Sequence, residues 1–169
     1  MKWILLMVFS LSFGLSQGTF AAEEKDGLTW YTDLAEAHGV SNLEKKPIFG
    51  FFTGSDWCGW CKLLQRNVFA KQAFIDWAKE NVVLLEIDFP KRVQQSAELK
   101  TQNQNLQRAL GVRGYPTVWL FNSSVNKETG GFHLTRLGKL GYPSGAEKGK
   151  EEVKFLEEAN KILASTKQP

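Results

Sequence analysis

A short apolar run that leads into two closely spaced cysteines constrains the fold more than any other feature. Residues 48–52 read Ile-Phe-Gly-Phe-Phe, the pattern of a strand buried on both faces. Residues 53–56 have the composition of a turn, and residues 58–80 have apolar side chains at helical spacing, with a break expected near residues 70–71. Cys58 and Cys61 therefore lie where a buried strand ends and a helix begins.

The rest of the chain predicts further strands and helices around this unit. We predict a strand or anchoring segment at 28–31 and further strands at 82–89, 117–121 and 132–137. We predict helices at 33–38, 106–110 and 146–164. Residues 23–27 are expected to be flexible, and residues 90–105 to form a polar, partly helical excursion. This order predicts a mixed sheet covered by helices on both faces.

Two helix details are specific enough to be checked. Gly39 is expected to interrupt or end the first helix, leaving Ser41 to cap a second short turn. The closing helix is expected to bury one apolar face, formed by Val153, Leu156, Ala159 and Leu163.

The N-terminus has the pattern of a secretory signal peptide. Lys2 precedes an apolar stretch that reaches residue 15, and small and polar residues then lead to Thr19-Phe20-Ala21. The continuous apolar run is shorter than the ~20 residues that span a bilayer, which favours a cleaved signal over a membrane anchor. We predict a signal peptide at 1–21, an N-terminal extension at 22–46 and one folded domain at 47–165.

Length and charge limit the classes of protein that fit. A chain of 169 residues suits one domain with a substantial core. The formal net charge is +3, and removal of residues 1–21 takes away only Lys2, which leaves +2. This charge is small and evenly spread, so no nucleic-acid partner is expected.

The cysteine pair has a redox interpretation and a structural one. At a helix N-terminus, free N–H groups and the macrodipole favour a thiolate, so we expect the pKa of Cys58 to lie below its free value. Cys61, one turn later, is placed to resolve a mixed disulfide formed at Cys58. As a structural staple, a loop of this size stabilises by only ~2 kcal/mol, against ~3 for fifteen residues. Redox chemistry is the favoured interpretation.

Metal and haem sites do not fit the pattern. Covalent haem attachment needs His after the second cysteine, where Lys62 stands. A zinc site needs about two more ligands, and His38 and His133 have no paired spacing with the cysteines. We therefore expect neither a metal nor a cofactor.

Three segments resemble the thioredoxin superfamily, and they occur in the family's order. Residues 57–62 (Trp-Cys-Gly-Trp-Cys-Lys) resemble its active-site motif. Residues 110–117 (Leu-Gly-Val-Arg-Gly-Tyr-Pro-Thr) resemble the segment that carries its cis-proline, here Pro116. Residues 136–138 (Arg-Leu-Gly) are similar to the strand and glycine beside its substrate groove. The motif and the preceding helix are most similar to the exported bacterial branch related to disulfide-reductase domains.

The resemblance implies a fold and a set of roles. The α/β fold is thioredoxin-like, with a central mixed sheet of about four to five strands flanked by helices on both faces, and occupies the predicted domain at 47–165. Cys58 is implied as the nucleophile and Cys61 as the resolving thiol. The residues implied to contact substrate are Trp57, Trp60, Tyr115, Pro116 and Gly138.

The sequence departs from the family at the position of a buried acid. Many members carry an acidic residue on the strand before the motif, and residues 48–52 contain none. Asp56 comes later in the chain and is expected at the surface. The proton acceptor for Cys61 therefore stays open between water, Glu86 and Lys62. Trp60, before the second cysteine, leaves the redox direction open.

The resulting hypothesis is an exported thiol–disulfide oxidoreductase, in a bacterial periplasm, that uses its Cys-Gly-Trp-Cys pair on protein disulfides or dithiols. Reduction or isomerisation is favoured over oxidation, with a membrane protein as electron donor or acceptor. The alternative is a chaperone-like module without turnover, whose binding of protein chains is switched by the redox state of the cysteine pair. A third interpretation is an inert exported domain with a local staple.

Overall fold

One mixed sheet of six strands organises the computed structural model, which describes residues 22–165. The predicted signal peptide at 1–21 lies outside the described residues. In chain order the strands are β1 (Glu23–Lys25), β2 (Leu28–Tyr31), β3 (Ile48–Thr53), β4 (Val83–Asp88), β5 (Thr117–Val125) and β6 (Phe132–Leu140). Their spatial order is β1-β2-β4-β3-β5-β6, with β2 and β3 parallel to β4 and the other pairings antiparallel. The predicted mixed α/β sheet is confirmed, with more strands than the four to five expected.

Helices cover both faces of the sheet. They are α1 (Leu34–Glu44), α2 (Gly59–Leu64), α3 (Gln72–Asn81), α4 (Ala97–Leu110) and α5 (Glu151–Ser165). A π-helical segment, Gln65–Phe69, joins α2 to the break before α3, for which Lys71 is the N-cap, so the predicted break is confirmed. Within residues 22–165, no helix combines the length and apolar character required to cross a membrane.

The central strand β3 divides the core into two clusters. All six of its residues are buried, as its apolar sequence predicts. Phe49 and Phe51 pack into the cluster that contains both cysteines, and Ile48 and Phe52 pack into the cluster on the opposite face. The alternation of side chains along a strand sends neighbouring residues to opposite faces. The cysteine pair therefore packs in the same cluster as one face of a fully buried strand.

The N-terminal segment joins the sheet. Residues 23–27 were expected to be flexible, and this prediction is wrong because β1 pairs antiparallel with β2 through a tight turn. Asp26 and Gly27 both have positive φ, 52° and 71°, as a two-residue Asp-Gly hairpin turn requires. Strand β2 then pairs with β4 at Trp30 and Leu84. Residues 23–44 thus supply two strands and one helix, and the division of the chain at residue 47 stays a prediction.

Helix α1 continues through Gly39, where the sequence predicted an end. The Asp33 side chain caps its first turn by accepting the N–H of Glu36 at 2.9 Å. A glycine inside a helix costs about 1 kcal/mol relative to alanine. The cap and the burial of Leu34 and Ala37 offset this cost. Ser41, expected to cap a second turn, is buried inside the helix and its hydroxyl donates to the carbonyl of Lys46.

Helix α4 replaces the predicted polar excursion and the separate short helix at 106–110. It is one continuous helix of 14 residues, capped by Ser96 and ended by Gly111 at φ 65°. Its polar residues have internal partners, since Asn103 is 1% exposed and donates to the carbonyl of Asp88 at 2.9 Å. Gln102 donates to the carbonyl of Thr32 at 2.9 Å. The side-chain amides of this polar stretch therefore bond the helix to β4 and to the residue that follows β2.

The last three elements differ from the prediction in their bounds, and the last helix also differs in the face that it buries. Strands β5 and β6 extend to Val125 and Leu140, past the predicted ends at residues 121 and 137. Helix α5 begins at Glu151, five residues later than expected. Its buried residues are Phe155 and Ala159, whereas Val153 is 47% exposed, so the predicted apolar face was wrong at that position.

Candidate functional site

Cys58 and Cys61 form a disulfide at the N-terminus of α2. The S–S distance is 2.01 Å and the Cα atoms are 5.3 Å apart. Cys58 is the N-cap residue, and its Sγ accepts the backbone N–H of Cys61 at 3.2 Å. Cys58 is 5% exposed and Cys61 is 0% exposed, so Cys58 is the more exposed of the two cysteines. The predicted position between a buried strand and a helix is confirmed.

A tight turn after β3 sets the position of Cys58. The carbonyl of Gly54 accepts the N–H groups of Trp57 and Cys58 at 3.1 and 2.8 Å. The Trp57 ring lies against Gly54 so closely that an added Cβ would be 2.4 Å from its Cε2 atom. The turn therefore requires glycine here, and any larger residue displaces the tryptophan beside the disulfide.

Trp57 joins the motif to the chain that follows β4. Its Nε1 donates to the carbonyl of Phe89 at 2.8 Å, and its ring meets Tyr115 edge-on at 5.8 Å. Phe89 in turn stacks on Tyr115 at 5.3 Å, and the Tyr115 hydroxyl accepts from Gln107 at 2.8 Å. The peptide bond between Tyr115 and Pro116 is cis. The structure thus brings Trp57 and Tyr115 together beside Cys58.

Asp56 fixes the segment of residues 89–95, which we call the 89–95 loop. Its carboxylate accepts the backbone N–H groups of Lys91 and Arg92, at 3.0 and 2.5 Å for the shorter contacts. These bonds, that from Lys91 foremost, lower the pKa of Asp56. Ser55 joins the same turn to the end of β4 by donating its N–H and hydroxyl to Asp88. Sequence reasoning placed Asp56 at the surface and missed this function.

Replacing Asp56 with Ala is expected to loosen the 89–95 loop, because two backbone N–H groups lose their acceptor. A lowered pKa means that the carboxylate stabilises the loop above its unfolded-state pKa, and that this contribution is lost as pH falls through the lower folded-state value. Hydrogen exchange should show faster exchange of the Lys91 and Arg92 amides in Asp56→Ala at neutral pH. Asp76→Ala is the control, since Asp76 bonds the side chain of Gln72. Equal protection in Asp56→Ala and wild type would contradict the assignment.

Trp60 and Gly138 lie in different surroundings. Trp60 is 61% exposed and meets Tyr142 edge-on at 5.1 Å, a neighbour that sequence reasoning missed. Gly138 lies in β6 opposite Leu120, and an added Cβ would be 2.7 Å from Ile162 of α5. Helix packing explains the glycine, and its contact with substrate stays a prediction.

Glu86 is a mostly buried acid on the face of the sheet that packs against the cluster containing the cysteines. It lies opposite Phe51 in the β3–β4 register, and its side chain is 13% exposed. Burial raises the pKa of the Glu86 carboxyl although Lys25 donates to it at 2.8 Å. Of the side chains considered as proton acceptor for Cys61, Glu86 is thus mostly buried, and Lys62 is exposed.

Lys25→Ala is expected to destabilise the protein by about 1–2 kcal/mol at neutral pH, because a mostly buried carboxylate loses a partly exposed cation and hydrogen-bond donor. Since the folded-state pKa of Glu86 is raised, its charge costs stability as pH rises through that value. The loss should therefore shrink at acid pH, where Glu86 is protonated. Urea unfolding across pH measures it, and Glu86→Gln is the matched background. An equal effect of Lys25→Ala in both backgrounds would exclude the pair as the cause.

The fold and the motif define a class of protein. A family model described as thioredoxin-like domain matches residues 34–135. The chain therefore belongs to the thioredoxin-like family, as the sequence resemblance predicted.

Two curated relatives come from Chlamydia pneumoniae. The disulfide bond reductase DsbH is 35% identical over 111 residues, which cover 66% of this chain and 63% of the relative. The thioredoxin-related protein DsbJ is 26% identical over 162 residues, covering 94% of this chain and 44% of the relative. The chain thus spans less than two thirds of the length of either.

Two solved structures have the same fold. One, titled DsbH oxidoreductase, has a TM-score of 0.65 and 29% identity, over 89% of this chain and 92% of that one. A thioredoxin from Thermus thermophilus has a TM-score of 0.54 and 18% identity, over 80% and 87% of the two chains, and this likeness concerns the fold alone.

Proposed function

We propose that this protein is a thiol–disulfide oxidoreductase that reduces protein disulfides through Cys58 and Cys61. The observation that carries the proposal is their disulfide at the start of α2, with Cys58 the more exposed of the two cysteines. The disulfide bond reductase among the relatives supports the reducing direction. Isomerisation uses the same first step.

The exchange proceeds in two balanced steps. The Cys58 thiolate attacks one sulfur of the substrate disulfide, which forms a mixed disulfide and releases the other sulfur as a thiolate. Cys61, after losing its proton, attacks the Cys58 sulfur and releases the second substrate thiolate. The substrate gains two electrons and two protons, and the protein ends as the Cys58–Cys61 disulfide. An external dithiol donor must then reduce it again.

Local contacts support Cys58 as the attacking sulfur. The N–H of Cys61 that bonds its Sγ in the disulfide also suits a thiolate, which is a stronger acceptor. Trp57, Trp60, Tyr115 and Pro116 are proposed to contact the substrate chain. The exposure of Trp60 and the contact of Trp57 with Tyr115 support an aromatic surface beside the sulfurs.

We place this reaction outside the cytoplasm. The signal peptide pattern at 1–21 and the kinship with DsbH and DsbJ support export, with the bacterial periplasm as the compartment. The residues that follow are proposed as the extension at 22–46 and the thioredoxin-like domain at 47–165. Reduction there needs electrons from a membrane partner, because thiols in that compartment tend to be oxidised.

The test is catalysed reduction of an interchain protein disulfide, with dithiothreitol as the electron source. We expect the wild-type protein to raise the rate above that of dithiothreitol alone, and Cys58→Ser to remove the gain. The exposed Trp60 also suits the alternative, a binding module without turnover. No rate gain, together with chain binding that persists in the Cys58→Ser/Cys61→Ser variant, would contradict the enzyme and support that module.

A further inference from the structure

The 89–95 loop carries two cations and contacts Trp57, the residue before Cys58. We propose that Lys91 and Arg92 select substrates by recognising an acidic segment of the substrate chain next to its disulfide. This inference rests on the proposed function and names a class of substrate for it.

The loop is held against both sides of the site. Asp56 accepts its N–H groups at Lys91 and Arg92, and Trp57 donates to its first carbonyl, at Phe89. Phe89 also stacks on Tyr115. The motif and the segment before Pro116 therefore both contact the loop, so a chain bound between them passes its cations.

The cations of the loop form no ion pair with an acidic side chain among residues 22–165. Lys91 Nζ lies 4.2 Å from the centroid of the Trp57 ring, one residue from Cys58. Lys91 and Arg92 are exposed, and neither belongs to an ion pair between side chains of residues 22–165. The Asp56 carboxylate is directed to backbone N–H groups, although its charge faces Arg92. An acidic substrate segment would supply the missing anions.

Neighbouring residues strengthen the same preference. Arg113 is exposed and lies two residues before Tyr115, which places a third cation on the adjoining segment. Val93 is 64% exposed and offers apolar contact next to the charges. Glutamate and aspartate carboxylates match a guanidinium well, since Arg donates two parallel hydrogen bonds to them.

The expected effect is modest because the charges are exposed. Pairs at a solvated rim change association rates and salt dependence more than final affinity. Two such pairs predict about a five- to tenfold faster reaction with an acidic substrate than with a basic one at low salt. The difference should shrink in high salt, since exposed charges are screened.

The test uses three peptides with the same disulfide loop and flanks of Glu, Gln or Lys. Pre-reduced protein is mixed with each peptide, and single-turnover oxidation is followed by tryptophan fluorescence at low and high salt. We expect the order Glu, Gln, Lys for the wild-type protein and the reverse order for Lys91→Glu/Arg92→Glu. The neutral variant Lys91→Gln/Arg92→Gln should react at similar rates with all three.

The control is the same change of charge far from the site. Lys79 lies in α3, just before the start of β4, whereas the motif follows the opposite end of the neighbouring strand β3. Lys127 lies in the turn between β5 and β6. Both residues are exposed. Lys79→Glu/Lys127→Glu should keep the wild-type order.

The outcomes separate the inference from the proposed function. Failure to reduce any peptide would contradict the proposed function. Equal rates with all three peptides at low salt would overturn the charge selection and leave the enzyme intact. A reversed order in the control variant as well would assign the effect to net charge and overturn the role of the loop. The rate with the Gln peptide, measured in each variant, is the reference to which the rates with the Glu and Lys peptides are compared.

Discussion

Cys58→Ser is expected to lower the rate of disulfide reduction by roughly a thousandfold or more, because a hydroxyl does not replace the attacking thiolate. Cys61→Ser has a different expected result. Cys58 is still able to attack, but the mixed disulfide cannot be resolved from within the protein and accumulates. Non-reducing electrophoresis and mass spectrometry of the trapped adduct measure this difference.

Folding does not confound the comparison of the two variants. Losing a staple of this loop size costs only ~2 kcal/mol, so both serine variants should fold. Circular dichroism of each variant is the control. Adducts that form equally with Cys58→Ser would show that the nucleophile is Cys61, which contradicts the assignment from exposure.

Phe155→Ala is expected to lower the free energy of unfolding by about 3–5 kcal/mol. The ring is 0% exposed and contacts Phe49, Phe69 and Phe74 at centroid distances of 6.0–6.3 Å. Its removal leaves a cavity between α5 and the sheet that the surrounding rings cannot fill. Urea unfolding followed by circular dichroism measures the loss.

The matched control lies two residues away on the same helix. Val153 is 47% exposed, so Val153→Ala should change the free energy of unfolding by no more than about 0.5 kcal/mol. If Val153→Ala cost as much as Phe155→Ala, the face that α5 buries would be the one first expected from the sequence.

Features encoded in short segments were predictable from the sequence. The apolar run of β3, the turn after it and the helix at Cys58 are set by neighbouring residues, and the structure has all three. The break before α3 was also visible, at Lys71. The Asp-Gly turn of the first hairpin is an equally local signal, and it was available but not used.

Features that depend on distant contacts were not predictable in this way. Lys25 and Glu86 pair across 61 residues, and Asp56 binds the 89–95 loop across 35 and 36. The polar sequence of α4 hid amides, such as that of Asn103, whose partners belong to other elements. No local pattern encodes such partners, because their position depends on how the sheet is assembled.

The reduction potential of the Cys58–Cys61 pair tests the central claim, reduction of protein disulfides, most directly. Equilibration in glutathione and dithiothreitol buffers, with the oxidised fraction read by thiol alkylation and mass spectrometry, gives the value. We expect a potential near ~−270 mV, that of a reducing thioredoxin, which would require a membrane electron donor. A potential near ~−120 mV would make the pair an oxidant and contradict the reducing direction.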